Sequence, residues 1–491
     1  MRRQHLVLAL CVLAVAAAAS AQIPDRPEKL TYPGLEWNVP DPAPLRAVLA
    51  NGVPVYIAED RLLPLVTVQI MFRGGRYLEP AGKEGVAALT STVWRTGGAA
   101  DLDPAALDEQ LDFLAAQLFT NVGDTTGMVS LNLLSKDLDA GLALLMKVMR
   151  SPRFEQARLD KAREDLISDL KRRNDDAADI ENREWNRLLY GDGFWMNRLA
   201  TKASVDGITR EDLVAFHAQL ANPANFVVAV AGDFARKDML GKLNATLGAW
   251  KATGPKVPPV PQPTASARPG VYAVDKKDVN QGRVSLGHIG LRRPVPDEQA
   301  LDVANDILGG GGFTAWMMKR IRSDEGLAYG AYSRFGVGDQ MPGTFRAFFQ
   351  SKSATCARAA TLTLELIGKL RAGEASAKDL ETSKKSFIET LPRTFETRQR
   401  TVQRFANDEL LGLPHEYWTG YRARMAAVTS EAVKQAAEKY IRPDQLIVVI
   451  VGNLDEIFKG SPEHPDATFE KFGPITRLPL RDPLTLQPLA E

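Results

Sequence analysis

Cysteine is nearly absent. The 491-residue chain holds only Cys11 and Cys356. Cys11 lies in a leader-like start, so Cys356 would stand alone after processing and no internal disulfide is available. No histidine neighbours Cys356, which reads as a buried structural thiol rather than a nucleophile. Histidine is scarce too: His5, His217, His288, His415 and His464. None has a second His three or four residues away, so no helix offers two imidazoles to one metal. His415-Glu416 starts like a zincin motif, but Thr419 stands where the second His belongs. His217, in an amphipathic helix, and His288, in a strand, suit packing. No sign of charge dominates, with 61 Lys and Arg against 60 Asp and Glu. That balance argues against a nucleic-acid surface or an acidic tail. After the first residues, no apolar run is long enough to cross a bilayer. The glycine run Gly309–Gly312 lacks the Lys-Ser/Thr of a phosphate loop; after the apolar stretch Leu301–Leu308 it reads as a helix stop.

The beginning of the chain has a different character. Arg2 and Arg3 precede an apolar run from Leu6 to about Ala19, which ends Ala19-Ser20-Ala21. A positive start, a short apolar stretch and small residues describe a cleaved export signal over residues 1–21. The expected location is therefore exported, periplasmic or secreted, with no transmembrane segment once the signal is removed.

The rest is duplicated. Thr209 opens TREDLVAFHAQL, followed by Pro223 and the strand-like FVVAVAGDF. Thr429 opens TSEAVKQAAEKY, followed by Pro443 and LIVVIVGNL. Thr209 and Thr429, Pro223 and Pro443, and Gly232 and Gly452 are each 220 residues apart. In each half a Thr is placed to cap a helix, and a β-branched run ends in Gly. ARLDKAREDLISDL and AKDLETSKKSFIETL repeat one residue out of that register. Asn51-Gly52 predicts a turn between apolar runs. The predicted class is α+β: two homologous domains, each a mostly antiparallel sheet covered by helices, joined by a Pro-rich linker. The expected boundaries are a signal at 1–21, an extended arm at 22–44, a first domain at 45–253, a linker at 254–269, a second domain at 270–458 and a Pro-rich tail at 459–491.

GGRYLEPAGKEGVAALTSTVWRTGG resembles the segment that carries the inverted zinc motif of insulinase-type peptidases. The duplicated halves and the VAVAGDF and VVIVGNL strands match that family as well. Its motif, H-x-x-E-H on a helix, aims two imidazoles at one metal, with a Glu to activate water. Here those places hold Ala88, Ser91 and Thr92, and the family's third ligand, a later Glu, is matched only by Asp169. Methyl and hydroxyl groups are poor zinc donors, so the resemblance implies a degenerate site with no metal and no cofactor in this chain. Val86, Leu89 and Val93 keep an apolar stripe, so the helix itself is expected to persist.

The second half carries ILGGGGFTAWMMKRIRSDEGLAYGAYSRF. It is similar to a family segment with an Arg and a Tyr seven residues apart, matched here by Arg322 and Tyr329. Ala315, Trp316 and Met317 depart from the family's usual Ser-Arg-Leu. In the family this pair donates hydrogen bonds to the oxyanion formed at a peptide carbonyl, and some members place zinc and pair on different chains. Arg brings a permanent charge and a forked donor set, Tyr a hydroxyl that stays protonated at neutral pH. The expected function is the substrate-binding, non-zinc subunit of a peptide-hydrolysing zinc metallopeptidase. Its partner would be a homologous zinc-bearing subunit. QLFTNVGDTTGMVSLNLL has strand character, and backbone pairing of a peptide to such an edge names no contact residues. The alternative is a non-catalytic scaffold or peptide-binding member of the same family.

Overall fold

Each half of the chain folds around its own six-stranded sheet. These are seen in a computed structural model that describes residues 26, 29–30, 36–254, 256–264 and 268–489. The export signal at 1–21, with Cys11 and His5, lies outside the described residues, as does much of the 22–44 arm. Val39 to Glu491 forms one contact unit.

The first sheet uses β1 (Arg46–Val48), β2 (Pro54–Glu59), β3 (Leu65–Arg73), β4 (Gln117–Val122), β5 (Thr126–Leu134) and β6 (Phe226–Gly232). Their order is β1-β2-β6-β3-β5-β4, with only β2 and β6 parallel. The second half supplies β7 (Gly270–Asp275), β8 (Gln281–Ile289), β9 (Leu291–Arg292), β10 (Ala328–Phe335), β11 (Val337–Gly338), β12 (Thr344–Lys352), β13 (Ile447–Gly452) and β14 (Ile475–Leu478). Apart from the small β9–β11 pair, they order as β10-β12-β8-β13-β7-β14, parallel at β13–β7 and β7–β14. The α+β class with two related sheets is what the sequence predicts.

Local chemistry explains the repeat. The Thr209 and Thr429 side chains accept from Asp212 N and Ala432 N and cap the helices Arg210–Leu220 and Ser430–Tyr440. Both helices lead to central strands, β6 and β13, in which every residue is buried. A strand covered on both faces needs an unbroken apolar run, which FVVAVAG and IVVIVG provide. Gly52, at φ 87°, turns β1 into β2.

The halves interlock by exchanging helices. Ala177–Tyr190, from the first half, packs on β8 and β13 of the second sheet, whereas Arg398–Leu411, from the second half, packs on β2, β3 and β6 of the first. Trp185 and Leu189 join Ile447 and Val449 in one buried cluster. Gly287 is glycine because the Phe345 backbone closes in on it, with Trp185 beside; a Cβ there would lie 1.9 Å from Phe345 O and 2.9 Å from the indole. Glu181, fully buried, pairs with Arg283 at 2.8 Å and Arg346 at 2.9 Å and accepts from the Ser285 hydroxyl. On the other side Arg46 grips Glu409 with two bonds of 2.7 and 2.9 Å, and the Tyr56 hydroxyl donates to the same carboxylate at 2.7 Å.

The ends are more integrated than the sequence suggests. The 459–491 segment, expected as a tail, contributes β14 along β7. It then returns to the first half: Leu484 O accepts from Lys202 N at 2.8 Å, and Arg481 O accepts from Asn174 Nδ2 at 2.7 Å. The linker is docked too, with Pro258 O accepting from the Tyr77 hydroxyl at 2.7 Å and Val260 buried. Proline content predicts an extended backbone, and extended backbone also serves as an edge strand.

Glu181→Gln keeps the side-chain shape but leaves two half-buried guanidinium groups without their carboxylate. The expected loss is roughly 3 kcal/mol of unfolding free energy, as for other broken buried pairs. Urea denaturation measures it, with the exposed Asp169→Asn as a control that leaves the midpoint unchanged.

Candidate functional site

The helix Val86–Thr96 carries the degenerate metal positions. Its start is fixed by Glu79, whose Oε1 accepts from Gly85 N at 3.0 Å and Ala87 N at 2.9 Å. Burial pushes the Glu79 carboxyl up to about 7, against those two backbone donors. Val86, Leu89, Val93 and Trp94 turn inward, as the apolar stripe predicts. Ala88 and Thr92 are exposed and Ser91 is half-buried.

Ser91 has acquired a structural task. Its Oγ accepts from Val122 N at 3.0 Å, and its carbonyl accepts from the Thr120 hydroxyl at 2.8 Å, tying the helix to edge strand β4. The Thr92 hydroxyl is turned back to Ala88 O at 3.2 Å. Asp169 sits on the helix Gln156–Lys171, which packs against Val86–Thr96, but it is exposed and pairs with Arg172 at 2.5 Å. Among the described residues no group of three or more His, Cys, Asp or Glu converges as a metal site would. A methyl, two engaged hydroxyls and one surface carboxylate do not fit zinc.

The structure brings Arg322 and Tyr329 together. Arg322 lies in a wide helical turn, Met318–Asp324, and Tyr329 is the second residue of β10, inside an irregularity in its pairing with β12 between Ala328 and Ala331. The Arg322 guanidinium carbon stands 5.1 Å from the Tyr329 ring centre and 4.8 Å from that of Phe313. Both rings are largely exposed, at 88% and 75%. Rings on the faces of a guanidinium leave its in-plane N–H groups free to donate. The nearby acid does not take them: Glu325 is held by Arg320 at 2.8 Å and Arg358 at 3.1 Å. Among the described residues, Arg322 has no hydrogen-bond or ion-pair partner.

Phe313 was not anticipated from the sequence; its only signal was an aromatic directly after the glycines. Those glycines are not a simple stop either. The helix Glu298–Asn305 widens through Asp306–Gly310 before the chain leaves it. Gly309 is glycine because β10 crosses there, and a Cβ would lie 2.3 Å from Ser333 N. No hydrogen bond, ion pair or ring contact among the described residues joins the Arg322–Tyr329 pair to the Ala88, Ser91, Thr92 and Asp169 positions.

The histidines are packed as expected. His217 is buried against Trp94 and Phe154, and burial pushes it down to about 4. His288 is also lowered to about 4 by burial, and its Nε2 accepts from Arg442 N at 3.0 Å. His415 Nδ1 lies 3.3 Å from the Tyr56 hydroxyl, away from any second imidazole. Burial pushes the Cys356 thiol up to about 12, so it is not a reactive thiolate. No helix among the described residues is long and apolar enough to cross a membrane.

Comparison with known proteins adds family context. Residues 207–387 match the model of the peptidase M16 inactive domain. The Helicobacter pylori "non-peptidase homolog YmxG" is 24% identical over 82% of this chain and 92% of its own length. The Bacillus subtilis "uncharacterized zinc protease YmxG" is 20% identical over 82% of this chain and 97% of its own. Among solved structures, a peptidase M16 inactive domain from Pseudomonas fluorescens superposes with a TM-score of 0.75 at 24% identity, covering 85% of this chain and 98% of that one.

With no ligand set at Ala88, Ser91, Thr92 and Asp169, the dialysed protein is expected to hold far less than one zinc per chain. Elemental analysis measures this. A stoichiometric zinc that disappears in Asp169→Ala would overturn the assignment of a dead site.

Proposed function

The chain belongs to the insulinase-type (M16) peptidase family, and from that premise we propose that it is the zinc-free, substrate-side subunit of an exported, paired metallopeptidase. The partner is a homologous chain with an intact H-x-x-E-H motif, and that chain supplies the zinc. The present chain binds peptide and contributes Arg322 and Tyr329. One observation carries this reading: a cation fixed between two exposed rings, with its donor edge unclaimed while the adjacent Glu325 serves Arg320 and Arg358. Keeping a guanidinium ordered without a carboxylate gives little to stability, and it is well suited to a ligand oxygen.

The chemistry follows from charge. Water attack on a peptide carbonyl turns its oxygen into an oxyanion. The N–H edge of Arg322 and the hydroxyl of Tyr329 donate to that oxygen more strongly as its charge grows. Donors that strengthen on the way to the transition state raise turnover rather than affinity.

A second reading, a non-catalytic scaffold or peptide-binding member, draws on different observations. These are the match to the inactive domain over residues 207–387 and the structural use of Ser91. Kinetics separates the two. In a reconstituted pair, Arg322→Lys keeps the charge but loses the fork, and Tyr329→Phe keeps the ring but loses the donor. Cleavage of a quenched fluorescent peptide is expected to fall by roughly ten- to a thousand-fold, mainly in kcat, with melting temperatures unchanged. Unaltered turnover in an intact complex would leave the scaffold reading.

Export is part of the proposal and rests on the Arg2-Arg3 start and the Ala19-Ser20-Ala21 end of the leader. N-terminal sequencing of exported protein is expected to begin at or near Gln22. Membrane-bound protein that retains Met1 would make the segment an anchor.

A further inference from the structure

We propose that the open face of the second sheet, on β10 and β12, is a binding surface for acidic peptides. The proposal rests on the reading that this chain holds peptide substrate, and it narrows the class of that substrate.

Side chains alternate along both strands. Ala331, Ser333, Phe345 and Ala347 turn into the core. Tyr332, Arg334, Arg346, Phe348 and Lys352 turn the other way. On that side the donated helix Ala177–Tyr190 packs over β8 and β13, and its Asn182 reaches Arg346 at 2.6 Å. Beyond this seam Arg334 and Lys352 are exposed, and Tyr332 is 37% exposed.

Arg334, Arg346 and Lys352 are the ionised groups on these two strands' outer side, and Lys352 lines a cavity with Lys277, Asp278 and Glu456. Arg334 and Arg346 are direct cross-strand partners in the register, an arrangement that costs stability when like charges are opposed. The buried Glu181 is shared by Arg346 and Arg283. Arg334 and Lys352 have no side-chain hydrogen-bond or ion-pair partner among the described residues. Aromatic rings hold Arg346 in place: Tyr332 and Phe348 are 5.7 Å apart, and the Arg346 guanidinium carbon stands 5.6 Å over Phe348. An extended peptide with carboxylates on alternate residues would present them all to one face of the sheet. Charge complementarity therefore favours an acidic segment, and the flanking rings give its aliphatic atoms a surface.

The test uses the full exported chain without a partner. Fluorescence anisotropy follows a short labelled peptide with glutamate at every second position, beside a counterpart with lysine. The acidic peptide is expected to bind, more weakly as salt rises, and the lysine peptide is expected not to bind. Arg334→Glu combined with Lys352→Glu should weaken the acidic peptide roughly ten-fold or more, whereas Arg398→Glu on a distant exposed helix should not. If the double reversal lowers the melting temperature, Arg334→Gln carries the same test. Equal binding of both peptides, no effect of these substitutions, or displacement of the peptide by duplex DNA as readily as by unlabelled acidic peptide would each overturn the proposal. This binding needs neither partner nor turnover. Its failure would leave Arg322 and Tyr329 untouched, and loss of the kcat effect would leave this surface untouched.

Discussion

Two carboxylates, Glu181 fully buried and Glu409 half-buried, hold the two halves together. Glu181 enters the second sheet on a helix from the first half, and Glu409 enters the first sheet on a helix from the second. Each is met by arginine: Arg283 and Arg346 in one case, Arg46 in the other. Burying a carboxylate is costly unless its oxygens are satisfied. The helix must therefore seat in one register, or the charge is stranded. Apolar burial by Trp185, Leu189 and Phe405 supplies the larger attraction but tolerates sliding. The ion pairs supply the specificity, and they make neither half complete without the other's helix.

That interlock sets where functional residues can lie. The face of each sheet beside the donated helix is covered near its centre, on β6 and β13, and open toward β4 and β10. Ser91 is tied to the first of these open edges, and Tyr329 lies on the second. At β4 the helix Val86–Thr96 is bound to the strand through Ser91. Near β10, Arg322 makes ring contacts, and among the described residues its N–H donors meet no acceptor.

How much of this was legible in the sequence depends on the range of the interaction. The Thr209 and Thr429 caps, the Asn51-Gly52 turn and the all-apolar central strands are local, so periodicity and residue type revealed them. The duplication was visible for the same reason. The helix exchange was not, because an amphipathic helix shows that one face is buried but not against which sheet. Nor was β14, since Ile475-Thr476-Arg477-Leu478 is short and carries no alternation. The Arg322–Tyr329 spacing was readable through family resemblance. Its physical state, a guanidinium between Tyr329 and Phe313, needed the fold of the glycine run. Gly309 reads as a helix stop in one dimension and as the crossing point of β10 in three.

The two halves have diverged in charge rather than in plan. On the first sheet the open face shows Gln117, Phe119, Asn121, Met128, Ser130 and Asn132, none of them ionised. The equivalent face of the second shows Arg334, Arg346 and Lys352 around Tyr332 and Phe348. Duplicated sheets of the same order face the same packing demands, so core requirements do not explain this difference. With Arg346 neutralised by Glu181, the exposed Arg334 opposite it is the cation left to attract an anion. Of these cations Arg346 is held by Glu181, whereas Arg334 and Lys352, in the half that also carries Arg322 and Tyr329, have no side-chain partner among the described residues.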